Sequence, residues 1–176
     1  MRAYLFSSAL LAGCSYVNPL TVAQLAQVSP LEADPAGFAA QADLPEGLHI
    51  RDGGAVLQIT ATNGATGEDL QGAFTLRQQG QIHVLSDMDA TALRALQATI
   101  RAWKTANPDD VHGSLTITIE GCTSGRLPAP EDTINVALRV APDAPLRPVL
   151  RNLPVSELLA ETPGNTFPPC NTPAPG

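Results

Sequence analysis

The sequence predicts an α+β domain, in which an antiparallel sheet of about five to six strands carries one long helix packed on one face. Residues 114–120 and Thr133–Val140 alternate strictly between apolar and polar side chains, a pattern typical of half-buried strands. Asp87–Ala106 repeats apolar side chains at helical spacing. Turn-forming glycines and asparagines separate the other alternating segments. A β-sandwich with the helix as an insertion is the alternative architecture.

The first elements of the domain are expected to be short. Residues 20–28 have helix-compatible spacing, and Ser29 followed by Pro30 would end that helix. Residues 33–43 form an alanine-rich patch around Phe38, which fits either a second short helix or a loop. The region before the sheet therefore has two open interpretations.

The middle of the chain indicates a meander of antiparallel strands over residues 48–50, 55–61, 72–78 and 81–85. Asn63 and Gly64 predict a turn-rich loop over residues 63–71, and Gly80 predicts a second turn. Alternation places Ile82 and Val84 inward, so that His83 between them is expected on the solvent-facing side of the sheet.

The helix Asp87–Ala106 is the clearest element in the sequence. Its apolar stripe consists of Leu93, Leu96, Ile100 and Trp103, which is best explained by packing on the sheet. Asp87 or Asp89 is expected to cap its start, and Asn107 followed by Pro108 ends it. A last short helix is expected at Val155–Ala160.

Composition excludes one class of partner. The 176 residues carry a formal net charge of −7, and Lys104 is the only lysine. Such an acidic chain is not expected to attract nucleic acid, and it has no polybasic segment to serve as a second anchor on anionic lipid. Aromatic residues make up 4% of the chain, which argues against a sugar site built on stacking.

The N-terminus has the features of an export signal. A charged start at Met1 and Arg2 precedes an apolar run over residues 3–11, and small residues lead into a cysteine at Leu11-Ala12-Gly13-Cys14. Residues 1–15 resemble the signal and lipobox of bacterial lipoproteins. The resemblance implies removal of residues 1–13, a thioether-linked diacylglycerol on the sulfur of Cys14, and an acylated amino terminus.

The expected location follows from that anchor. The apolar run is too short to cross a bilayer, which needs about 20 residues, so the lipid is expected to be the anchor. Residues 14–19 would form the lipidated cysteine and a short tether, keeping the domain near the membrane on the periplasmic side. Under the sorting rule of enterobacterial lipoproteins, Ser15 after the cysteine implies the outer membrane in preference to the inner one.

The two remaining cysteines predict a disulfide. Lipidation of Cys14 leaves Cys122 and Cys170, which an oxidising periplasm would join. The bond would close a loop of about 48 residues and stabilise the fold by about 4 kcal/mol. It would also attach a proline-rich tail over residues 162–176 to a single domain over residues 20–161. Two unpaired thiols are the alternative, and no Cys-x-x-Cys spacing favours a metal.

Catalytic motifs are missing from the sequence. His49, His83 and His112 have no partner at metal-ligand spacing, and Asp109-Asp110-Val111-His112 is interpreted as a solvated loop. There is no Gly-x-Ser-x-Gly elbow and no phosphate-binding glycine loop. The sequence therefore predicts no catalytic residue, no metal and no cofactor.

The polar face of the predicted sheet is the candidate binding surface, and the residues singled out on it are Arg77, His83, Glu120 and Arg139. Two arginines on one face of an acidic chain suit a carboxylate or a partner's acidic patch. Cross-strand pairing of an arginine with Glu120 would explain one of them more simply.

Taken together, these features favour a non-catalytic envelope lipoprotein that binds or helps assemble another envelope component, most simply a protein. The alternatives are a lipoprotein that binds a small ligand or a glycan, and a hydrolase whose residues converge only in three dimensions.

Overall fold

The computed structural model describes residues 16–18, 31 and 33–171. Its elements follow the order β1 (Phe38–Asp43), β2 (Leu48–Asn63), β3 (Glu68–Thr75), β4 (Arg77–Gln79), β5 (Ile82–Val84), α1 (Asp87–Ala106), β6 (Val111–Thr123), β7 (Thr133–Val140), β8 (Arg147–Pro154) and α2 (Val155–Ala160). One-turn 3₁₀ helices lie at Pro35–Gly37 and Pro163–Asn165. The helix predicted over residues 20–28 lies outside the described residues.

The predicted α+β class is confirmed, with the strands divided between two antiparallel sheets instead of one. The five-stranded sheet has the order β4-β5-β1-β7-β8, and the three-stranded sheet has the order β3-β2-β6. The chain crosses from one to the other at Leu76, whose backbone N–H still donates to the carbonyl oxygen of Ala55 at 2.8 Å. The segment predicted as a single strand over residues 72–78 is therefore two strands in different sheets.

The main core lies where both sheets meet α1. Phe38 of the five-stranded sheet, Leu57 and Ile59 of the three-stranded sheet, and Leu93 and Ile100 of the helix belong to one buried cluster. Each of these five side chains is at most 1% exposed. The predicted helical stripe therefore faces the core.

Gly72 of the three-stranded sheet lies directly against Leu96 of the helix. A Cβ atom at this position would lie 2.6 Å from Cδ1 of Leu96 on the helix. Leu96 itself packs against the core cluster as a partly buried residue. A larger side chain at this position of β3 would require the end of the Leu96 side chain to move.

The start of α1 is capped by Ser86, where the sequence suggested Asp87 or Asp89. The Ser86 Oγ accepts a hydrogen bond from the backbone N–H of Asp89 at 3.1 Å and donates to the Asp89 carboxylate at 2.6 Å. A serine cap with an acidic side chain in the first turn satisfies free N–H groups and suits the positive end of the helix.

Strand β8 was missed by the sequence analysis and forms an edge of the five-stranded sheet. Residues 16–18 pair with it: the N–H of Asn18 donates to the carbonyl of Val149 at 3.0 Å, and the N–H of Arg151 donates to the carbonyl of Tyr16 at 2.9 Å. The described part of the predicted tether is therefore hydrogen-bonded to the domain.

The predicted disulfide is confirmed between Cys122 and Cys170, with the two Cα atoms 4.8 Å apart. Next to it, the N–H of Thr123 donates to the carbonyl of Pro168 at 2.9 Å, and the N–H of Cys170 donates to the carbonyl of Thr123 at 3.1 Å. Covalent and hydrogen bonds together hold the tail against the end of β6, up to residue 171.

None of the helices within the described residues has the length and apolar character needed to cross a membrane.

Candidate partner-binding cleft

Arg77 and Arg139 lie in one cross-strand row of the five-stranded sheet. Arg77 is paired with Val84, Val84 with Ala39, and Ala39 with Arg139. Directly paired residues of antiparallel strands point to the same side of a sheet, and neighbouring strands are about 4.8 Å apart. The two arginines therefore share a face, about 14 Å apart across three strand spacings.

His83 lies on the opposite face, so its predicted place beside the arginines is wrong. It pairs with Ala40, which belongs to the buried core and pairs in turn with Leu138. The apolar residues around His83 fall on both faces, since Leu85 belongs to the core while Val84 points outward. Alternation over so short a strand did not fix its orientation.

Burial has an electrostatic consequence for His83. The Nδ1 atom of its ring is buried and has no hydrogen-bond partner among the described residues. Desolvation lowers the pKa of His83 below its ordinary value, because burial disfavours the charged imidazolium. The ring is therefore a neutral group at the edge of the core.

Glu120 lies in the other sheet, so its predicted place beside Arg77 and Arg139 is also wrong. Its carboxylate is 3.5 Å from the Nη1 atom of Arg51, whose side chain is 8% exposed. Arg51 was missed by the sequence analysis. It lies in an irregular stretch of β2 between Ile50 and Ala55. The consecutive glycines Gly53 and Gly54 are the sequence feature that indicates this irregularity.

A cleft opens on the outward face of the five-stranded sheet, between β5 and the first half of α1. Its volume is about 460 Å³. Charged and apolar side chains line it together, among them Ile82, Val84, Asp87, Ala90, Arg94 and Arg139. Of the four residues singled out on the sequence-predicted surface, Arg139 lines this cleft, and the helix contributes Arg94.

The two arginines of the cleft differ in their partners. The Nη2 atom of Arg94 donates to the Asp34 carboxylate at 2.8 Å. The N–H of Ala36 also donates to that carboxylate. The bond from Ala36 has the larger effect and the bond from Arg94 the next, and together they hold the pKa of Asp34 below its usual range. This pair is half exposed and fixes Arg94 in place.

Arg139 is held by its inner nitrogen alone. Its Nε atom donates to the carbonyl oxygen of Gly37 at 3.1 Å, and this is its hydrogen bond within the described part of the chain. The two terminal nitrogens of the guanidinium remain available to donate hydrogen bonds to a ligand. A planar guanidinium with free terminal nitrogens is the group that binds a carboxylate through two parallel hydrogen bonds.

Two of the hollows that lie away from this cleft differ from each other in character. One, of about 400 Å³, has a mixed polar and apolar lining and lies beside β8, with Asp43, Asn135, Arg151 and Asn152 among its lining residues. The other, of about 380 Å³, is apolar and lies beside the disulfide, with Leu127, Pro128, Leu159, Phe167 and Pro169 among its lining residues.

The three histidines are not brought together. His49 pairs with Cys122 and His112 pairs with Thr62, so they lie ten positions apart along β6, or about 33 Å. His83 belongs to the other sheet. Within the described ranges, no group of three or more His, Cys, Asp or Glu side chains is placed to hold a metal ion.

The chain matches no protein-family model, no curated protein and no solved structure.

Proposed function

We propose that this protein is a lipid-anchored, periplasm-facing envelope protein without catalytic activity, which binds another envelope component in the cleft between β5 and α1. The partner presents an extended or helical segment with a carboxylate and apolar side chains. The observation that carries the proposal is Arg139, a half-buried arginine that lines an open cleft in an acidic chain and whose hydrogen bond to Gly37 uses Nε alone.

The anchor rests on the N-terminal sequence and is supported by the disulfide. Leu11-Ala12-Gly13-Cys14 supplies the acylation signal. The bond between Cys122 and Cys170 suits an oxidising compartment, because structural disulfides are rare in a reducing cytosol. Both features favour a chain that is exported and then held at the membrane by its lipid.

The chemistry of the cleft supports an acidic and apolar partner segment. Ile82 and Val84 supply an apolar floor on β5, and Arg139 stands in the same sheet face. Arg77 extends the positive charge along its row. Charge of the opposite sign across an interface speeds encounter and fixes register, and buried apolar contacts supply affinity.

Photo-crosslinking in intact cells tests the proposal. A photoreactive amino acid replaces Gln79, which is exposed and lines the cleft, or Gln71, an exposed glutamine on β3 of the other sheet. We expect a discrete crosslinked product from position 79 and none of that mass from position 71.

A charge reversal makes the test specific for the cleft. Arg139→Glu should reduce the product from position 79 at least tenfold, whereas Arg101→Glu, which reverses an exposed arginine on α1, should leave it unchanged. Thermal unfolding of both variants controls for loss of fold. The same product from both positions, or its persistence in Arg139→Glu, would contradict the proposed cleft.

A further inference from the structure

The geometry points to the edge of the five-stranded sheet around Arg151 and Asn152 as the membrane-facing side of the domain, where Arg151 meets the phosphates of the phospholipid headgroups. This inference rests on the proposed lipid anchor at Cys14. It assigns an interaction surface and an orientation that the anchor alone does not define.

The first argument is the length of chain between lipid and domain. The carbonyl oxygen of Tyr16 accepts a hydrogen bond from the N–H of Arg151 at 2.9 Å, so Tyr16 is fixed to β8. Cys14 is two residues earlier in the sequence. Even a fully extended chain covers at most about 7 Å in two residues, so the lipid-bearing sulfur stays close to β8.

The second argument is the direction of the pairing. Val17 forms an antiparallel bridge with Leu150, flanked by the hydrogen bonds of Asn18 to Val149 and of Arg151 to Tyr16. Moving from Asn18 toward Tyr16 therefore means moving toward the carboxyl end of β8. The attachment point is on the side of Arg151 and Asn152, both of which are exposed.

The third argument is local charge. The whole chain carries a net charge of −7, yet β8 contains Arg147 and Arg151 without an acidic residue, and residues 16–18 contain none either; Asp43 lines the hollow beside Arg151. Arg151 is exposed, and a guanidinium pairs well with phosphate oxygens. Tyr16, half-buried beside it, is of the type enriched where an apolar and a wet environment meet.

This orientation leaves the partner-binding cleft accessible. The strand order β4-β5-β1-β7-β8 places β5 three strand spacings from β8, which is about 14 Å. With β8 at the membrane, β5 and the start of α1 are directed toward the periplasm, where another envelope component can reach them.

Fluorescence quenching on the full lipidated protein tests the orientation. A single cysteine is introduced as Arg151→Cys or as Gln78→Cys, and it is labelled with a fluorophore. Gln78 is exposed on β4, the opposite edge of the same sheet, about 19 Å away across four strand spacings. The protein is reconstituted in vesicles of phosphatidylethanolamine and phosphatidylglycerol that contain a headgroup spin-labelled lipid. We expect at least threefold stronger quenching at position 151 than at position 78.

A second reporter retains the arginine. The fluorophore is attached at Ser156→Cys, an exposed position in α2 that follows β8. Arg151→Glu should lower its quenching at least twofold, whereas Arg77→Glu, the same charge reversal on the opposite edge, should leave it unchanged. Unchanged quenching in Arg151→Glu would overturn the contact between Arg151 and phosphate.

Vesicle flotation separates this inference from the proposed function. If the wild-type protein floats with the vesicles and a Cys14→Ser variant does not, the anchor holds, and equal quenching at positions 151 and 78 would overturn the orientation alone. If the wild-type protein fails to float, both the anchor and the orientation are overturned.

Discussion

Gln97 of α1 donates a hydrogen bond from Nε2 to the carbonyl oxygen of Ala33 at 2.9 Å, although its side chain is only 1% exposed. One turn earlier on the helix, Arg94 pairs with Asp34. These two contacts tie α1 to the segment that enters β1, and they hold the helix wall of the cleft between β5 and α1 against the sheet.

Replacing Gln97 tests this tie. Gln97→Leu leaves the Ala33 carbonyl without its donor while nearly conserving volume, and an unsatisfied buried acceptor costs about 1–3 kcal/mol. We expect the free energy of unfolding in urea to fall by about that amount. Thr99→Ala, a change at an exposed position two residues further along the helix, should not lower it by more than about 0.5 kcal/mol. Equal losses in the two variants would contradict a stabilising role of the tie.

Removing the disulfide should destabilise the domain through its tail. Cys170→Ala opens the link that closes 48 positions of chain, and we expect the free energy of unfolding to fall by about 2–4 kcal/mol. Limited proteolysis should then cut within residues 162–171. Reductant should cause the same loss in the wild-type protein and no further loss in Cys170→Ala. A wild-type protein insensitive to reductant would contradict this prediction.

Alanine substitutions at two glycines with positive φ distinguish the cost of a steric clash from the cost of backbone strain. Gly47 has φ +86°, and a Cβ atom there would collide with the backbone carbonyl of Arg126, whereas Gly80 has φ +65° and open space around it. Gly80→Ala should cost about 1–2 kcal/mol for the left-handed backbone alone. Gly47→Ala should cost at least about 3 kcal/mol in denaturant unfolding, because the neighbouring loop must also move. Similar losses at both positions would show that this packing is not tight.

His83 should make stability depend on pH. Desolvation lowers its pKa in the folded protein below the ordinary value of 6.5, so the unfolded chain binds the proton more readily. Stability should therefore fall as pH drops through 6.5 toward the folded-state pKa of His83, and should be regained above 6.5.

The matched variants for this pH dependence are His83→Gln and His112→Gln. His83→Gln should flatten the dependence of unfolding free energy on pH in this window, while His112→Gln, a change at an exposed histidine of β6, should retain it. A slope that survives in His83→Gln would assign the effect to other groups.

The sequence predicted best those elements whose periodicity is long and strict. Asp87–Ala106, Thr133–Val140 and Val155–Ala160 have the predicted boundaries. β1 was missed because its first residues, including Ala39 and Ala40, are buried on both faces, so no alternation marks them.

The prolines hid β8 and the division into two sheets. Pro148 and Pro154 argue against a central strand, but β8 is an edge strand, where a missing N–H costs little. The crossing at Leu76 has no sequence signal, since its alternation continues from β3 into β4. Only long-range pairing decides which sheet each half joins.

The candidate surface was predicted in part, for a related reason. Arg77 and Arg139 do share a face, because they follow the alternation of strands whose other face is the core. Glu120 also follows the alternation of its strand, but that strand belongs to the other sheet. His83 lies on the core-facing side of the short strand β5, opposite to the predicted side. Arg94 enters the cleft through the docking of α1, which depends on tertiary packing and not on local pattern.

The proposed export and lipid anchoring of the chain are tested most directly by the intact mass of the protein extracted from membranes, measured with and without reductant. We expect a mass equal to residues 14–176 plus diacylglycerol and an N-terminal acyl chain, which increases by two hydrogen atoms on reduction. A Cys14→Ser variant should lack the lipid mass. An unmodified wild-type chain that still begins at Met1 would contradict the account, because neither export nor a lipid anchor would then have occurred.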